Sequence, residues 1–168
     1  MTVFSENEIE RLLEALQGTY LYMSTYLSVV TGMRAGEILG LAWADVDLEQ
    51  CAVTVKQALQ RFKKGDEPVF SEPKTAGSRR RVELFAEAVA ELKKYNTAWK
   101  EKKCGAGEAW KNYDLICYDD SSPINPATFA RLFRDKTEKL KMAWRVHDLT
   151  HLHATFLLKI GIHPKIVA

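Results

Sequence analysis

One glycine constrains this chain more than any other residue. Residues 21–30 form a helix-length, largely apolar run that leads into Thr31-Gly32-Met33-Arg34-Ala35-Gly36-Glu37-Ile38-Leu39-Gly40-Leu41. Gly32 breaks the run, and an amphipathic segment restarts beyond Arg34. Arg34 is therefore expected at a helix-turn-helix corner, held by backbone on both sides, with Gly36 permitting close approach. Its planar fork of donors suits two oxygens of one phosphate. Most arginines at helix starts are simply solvated, so the corner gains meaning only with a second stretch, His147-Asp148-Leu149-Thr150-His151-Leu152-His153-Ala154-Thr155.

The 168 residues suit one domain, 1–168, and a hydrophobic fraction of 46% allows a sizeable core. Net charge is only +2, from 24 basic and 22 acidic residues, so no global basic signature marks a nucleic-acid binder. Local clusters exist at Arg61-Phe62-Lys63-Lys64, Lys74, Arg79-Arg80-Arg81 and residues 100–103. The last of these reads as a solvated loop. Cys51, Cys104 and Cys117 have no paired metal-ligand spacing and suggest reduced thiols in a cytoplasmic setting. No apolar run reaches the ~20 residues needed to span a bilayer, and no membrane partner is expected.

Ser5 and Glu8 form a capping box, with Phe4 and Ile9 as its hydrophobic staple. Ile9, Leu12, Leu13 and Leu16 then give a helical stripe. A mostly apolar, central helix follows over 19–30, with Tyr20, Tyr22 and Tyr26 packing in it or at an interface. A third helix is expected over 34–43. Alternation over 51–56 predicts a half-buried strand, and extended chain runs on to a charged hairpin tip at 63–67. Pro73-Lys74-Thr75-Ala76-Gly77-Ser78 forms a reversal before a returning strand over 80–84. A helix over 85–99, an exposed loop over 100–111 and a short buried strand over 115–118 come next. Asn125 and Pro126 mark another helix start, and a last helix runs from about His147 to Gly161. The fold class is α+β, mainly helical, with a small antiparallel sheet.

Three stretches in this order and spacing resemble the catalytic domain of the tyrosine recombinases, the phage-integrase family. They are Thr31-Gly32-Met33-Arg34-Ala35-Gly36-Glu37, Pro73-Lys74-Thr75 with Arg79-Arg80, and His147-Asp148-Leu149 with His151, Ala154 and Thr155. The resemblance implies site-specific DNA recombination and integration, in which a tyrosine attacks a phosphodiester and releases a 5′-hydroxyl, with no metal or nucleotide cofactor. It casts Arg34 as a phosphate-clamping arginine, Lys74 as general acid toward the leaving oxygen, and His147 as a phosphate contact assisting proton transfer. Glu37 would orient Arg34. Arg79, Arg80 and His151 join Arg34 and Lys74 as candidate DNA-binding residues. The implied partners are double-stranded DNA and further recombinase protomers.

Thr150 stands where the resemblance calls for a second clamp arginine. The family's nucleophilic tyrosine falls beyond Pro164, past Ala168, and a helical core-binding domain would precede Ser5. Strand cleavage by this polypeptide is therefore not expected, and its DNA binding should be weak and salt dependent. An integrase remnant that binds DNA without cutting it is the alternative. Ile160, Ile162, Ile166 and Val167 would then edge an open apolar groove. A more remote reading takes His147 and His151, one helical turn apart, as ligands of a zinc-dependent hydrolase, with His153 and His163 as further candidates.

Overall fold

The computed structural model describes residues 5–72, 79–159 and 161. Its elements are α1 (Glu6–Leu16), α2 (Tyr22–Thr31), α3 (Ala35–Leu39), β1 (Val46–Asp47), β2 (Ala52–Val55), β3 (Ala58–Leu59), β4 (Phe70–Ser71), β5 (Arg80–Glu83), α4 (Ala86–Ala106), β6 (Tyr118–Asp119), β7 (Ser122–Pro123), α5 (Pro126–Lys139) and α6 (Asp148–Lys159). Lys74 and the reversal expected around it, Phe4 of the expected staple, His163 and the four residues assigned to an apolar groove edge lie outside the described residues.

The start of α1 follows its sequence chemistry. The Ser5 hydroxyl accepts from the Glu8 N–H, and the Glu8 carboxylate accepts from the Ser5 N–H. Ile9, Leu12 and Leu16 turn inward. Helix α2 is buried on nearly every side and sits at the centre, packed by α6, α1, α3 and α4. Gly32 closes it in the left-handed region at φ +69, its N–H returning to Ser28 O at 3.0 Å. Tyr22 and Tyr26 stack 5.8 Å apart and pack against the core.

Strands β1, β2 and β5 form an antiparallel sheet in the order β1-β2-β5, with Val53 opposite Val46 on one side and Val82 on the other. A separate hairpin pairs β3 with β4, Leu59 facing Phe70. A further pair joins β6 to β7, so in the described residues the antiparallel structure expected as one small sheet is divided among three.

Two further expectations need correction. The third helix stops at Leu39, because Leu41 and Ala42 leave it to pair with a distant segment. Leu41 O accepts from Ile116 N at 3.0 Å, and Ala42 bridges Leu115. That pairing buries residues 115–118, of which only Tyr118 joins a strand. Second, residues 100–103 are helical rather than looped. Helix α4 continues to Ala106 because lysine and glutamate sustain it. Trp99 anchors it at 7% exposure, and Lys103 lies over the Trp99 ring at 5.1 Å. Around Trp99 a second core gathers Trp110, Leu115 and Tyr118, the last stacked on Trp110 at 4.3 Å.

No helix of the described residues is long and apolar enough to cross a membrane. Cys51, Cys104 and Cys117 are all free thiols.

Candidate functional site

Arg34 occupies the corner between α2 and α3 that its sequence implies. It precedes α3 in extended conformation, φ −68 and ψ 152, and its side chain is exposed. Two glycines bring that helix close to the β3 hairpin. A Cβ at Gly36 would lie 3.1 Å from Leu59 O, and one at Gly40 would lie 2.9 Å from Leu59 N. Close approach at Gly36 is thus real, and Gly40 shares it one turn later.

Glu37 does something other than orient the Arg34 guanidinium. One carboxylate oxygen accepts the Arg34 backbone N–H at 3.0 Å, which caps α3. The two oxygens also accept a bidentate pair from Arg80, at 3.0 and 2.9 Å. Arg80 on β5 meets both carboxylate oxygens with its fork, whereas Arg34 is bound through its backbone N–H. Glu37 therefore ties the start of α3 to β5. Arg80 spends both terminal nitrogens on this internal pair, while Arg79 lies 3.8 Å from Glu72 on the surface.

Burial raises the Glu37 carboxyl, but the Arg80 and Arg34 hydrogen bonds and the two positive charges outweigh it, leaving it below its ordinary value. Protonation is thus harder in the fold than in the unfolded chain. The stability this group supplies is complete above the ordinary carboxylate value and is lost as pH falls from there through the lowered value of the folded state. Glu37→Gln is expected to cost about 1 kcal/mol at neutral pH. In thermal melts the gap from the wild type should shrink as the buffer is taken toward about pH 4. A gap that stays constant with pH would show that the charge on Glu37 is not what stabilises the corner.

His147 precedes α6 and is exposed, with Nε2 3.3 Å from Asp148 Oδ1. It lines an open concavity of about 700 Å³ with Arg61, Arg131, Arg134 and Arg145. Arg34 and Glu37 line an adjoining one of about 670 Å³. Arg61 and Pro126 belong to both, so the concavities that hold Arg34 and His147 adjoin, the second of them rich in arginine. Among the described residues Arg131 and Arg134 pair only with Asp135 and Glu138 on the surface, at 3.7 and 3.9 Å. Such exposed pairs hold little energy and yield readily to a stronger anion.

No motif points to Arg131, Arg134 or Arg145. The signal available is the i, i+3 spacing of Arg131 and Arg134, on the face of α5 opposite buried Phe129 and Phe133. Thr150 and His151 are exposed in the first turn of α6. His153 is half-buried, and its Nδ1 lies 2.7 Å from Val29 O, which can only accept. Its Nδ1 therefore carries hydrogen, and burial pushes the imidazole below its ordinary value despite that bond. Packing of α6 on α2 is its evident work. Among the described residues no three His, Cys, Asp or Glu side chains gather as a metal site, so the zinc reading finds no ligand set there. Lys74 lies outside the described residues.

Comparison with known proteins gives this geometry a family. A tyrosine recombinase XerC-like protein of Caldanaerobacter subterraneus subsp. tengcongensis is 28% identical over 178 residues, covering 98% of this chain and 45% of that protein. The ICEBs1 integrase of Bacillus subtilis is 25% identical over 166 residues, covering 96% and 44%. The chain thus spans about half the length of the curated relatives it matches. Among solved structures, the Tn1549 transposon integrase in complex with transposon right end DNA superposes with a TM-score of 0.75 at 20% identity. That match covers 99% of this chain and 56% of that one, and it shows a shared fold. The phage integrase family model matches residues 2–168, and this chain, with Arg34 and His147 on adjoining concavities, belongs to the phage integrase family.

Proposed function

We propose that residues 1–168 form the catalytic domain of a phage- or transposon-type integrase, whose basic groove holds the sugar-phosphate backbone of duplex DNA. The observation that carries this reading is the meeting of Arg34 and His147, from opposite ends of the chain, on adjoining arginine-lined concavities. An arginine fork at Arg34 neutralises the non-bridging oxygens of a phosphodiester, where charge develops as the phosphorus is attacked. His147 sits within the same groove and exchanges a proton with the phosphate or the attacking hydroxyl. Lys74 gives its proton to the departing 5′-oxygen. Each step moves a proton or places a charge, and none requires a metal.

Further protomers of the same kind are proposed as partners, and the cytoplasm as the setting that keeps the three thiols reduced. Exposed Thr150 favours a second reading, in which the groove binds DNA but does not cut it. Threonine has no charge and no fork, and loss of one such donor commonly costs about 10²–10³ in rate.

Fluorescence anisotropy with a labelled duplex tests the shared part of both readings. Affinity should fall steeply with salt, and Arg34→Ala and Lys74→Ala should each weaken it and lower the salt slope by about one. A folded chain that shows no binding at low salt would remove the groove's proposed ligand.

A further inference from the structure

Arg61 lies at the junction of the two concavities that Arg34 and His147 line. Its surroundings hold it there. Gln60 N donates to Val69 O at 2.8 Å on one side of it. On the other side Phe62 O accepts from the Asn125 side chain, whose Oδ1 caps α5 by accepting Ala127 N at 3.0 Å. Backbone on both flanks is thus tied, one end to the β4 side of the hairpin and the other to the start of α5. The positive end of that 14-residue helix faces the same groove through Pro126 and Ala127. Yet among the described residues the Arg61 guanidinium makes no hydrogen bond and no ion pair. It differs in this from Arg80, which Glu37 engages, and from Arg131 and Arg134, which have carboxylate neighbours.

An exposed arginine on a mobile loop would be an ordinary solvated cation. Among the described residues Arg61 is an unengaged fork on a pinned backbone, placed where the concavities of Arg34 and His147 adjoin. Preorganisation of this kind reduces the ordering cost of binding. We propose that Arg61 grips the same phosphate that Arg34 and His147 face, supplying a second guanidinium to a site where Thr150 brings no charge. The inference rests on the reading of the groove as a DNA-backbone site.

The test is a double-substitution cycle with a fluorescein-labelled duplex of mixed sequence, at fixed low salt, using the full chain. Arg34→Ala, Arg61→Ala, the pair together, Arg61→Lys, and Lys94→Ala on α4 as a charge control are compared, each checked for folding by circular dichroism. Arg61→Ala should weaken binding about tenfold or more. Arg61→Lys, which keeps the charge without the fork, should recover only part of that. The paired substitution should lose less than the product of the two single losses, because both groups hold one phosphate. If the wild type binds and Arg34→Ala weakens it, but Arg61→Ala matches Lys94→Ala, the proposal for Arg61 is overturned and the groove reading stands. Losses that multiply fully would place the two arginines on different phosphates and overturn it likewise. Absence of binding by the folded wild type would remove both readings together.

Discussion

Replacing Gly32 with alanine is expected to lower the thermal midpoint by about 5–15 °C, from a loss of about 2–4 kcal/mol. Two costs combine. Gly32 sits at φ +69, where an L side chain is strained by about 1–2 kcal/mol. The added Cβ would also fall 2.5 Å from His153 Cδ2 and 3.0 Å from its Cγ. The ring cannot simply swing aside, since its Nδ1 is engaged by Val29 O at 2.7 Å. Relief must come from moving α6 against α2, the central packing of the fold. In a His153→Ala background the clash disappears and only the backbone strain remains. Gly32→Ala should then cost clearly less than in the wild type, a non-additivity expected of touching residues. A midpoint shift under about 2 °C would show that the corner before Arg34 is not held as described.

Gly40→Ala should cost about 1–3 kcal/mol for a different reason. Its backbone, at φ −93, accepts any residue, so no conformational strain arises. The new Cβ would instead meet main-chain atoms, Leu59 N at 2.9 Å and Ala58 C at 3.2 Å. Main chain has no rotamer to change, and β3 is itself held by β4 through Ala58–Ser71 and Leu59–Phe70. The hairpin must shift as a unit, carrying Arg61 two residues further on. Duplex affinity should therefore drop even below the melting range, where the chain is fully folded. Anisotropy at low temperature separates the two effects. Unchanged affinity with a lowered midpoint would mean that the hairpin's place on α3 matters for stability alone.

These glycines show what the sequence makes legible and what it hides. Local chemistry is readable: Ser5 with Glu8, Asn125 with Pro126, and the Gly32 break all act within one turn of themselves. The length of α3 is not, because its end depends on Leu41 meeting a segment near Ile116. The end of α4 is hard to read because Gly105 lies inside it, a cost outweighed by good helix formers around it and by buried Trp99. At the site, Arg34 and His147 are marked by motif, whereas the Glu37–Arg80 pair joins residues far apart in the chain. Arg61 is marked only by its basic cluster, and Arg131 and Arg145 carry no motif; the fold places all three beside His147.

The most direct test of the groove is a nitrogen–proton correlation spectrum of the labelled chain, recorded as a short duplex is added at low salt. Shifts and broadening should concentrate at Arg34, Arg61, Arg131, Arg145 and His147, and should reverse when salt is raised. Changes confined to the aromatic cluster around Trp99, or no change from a folded chain, would contradict DNA binding by this groove.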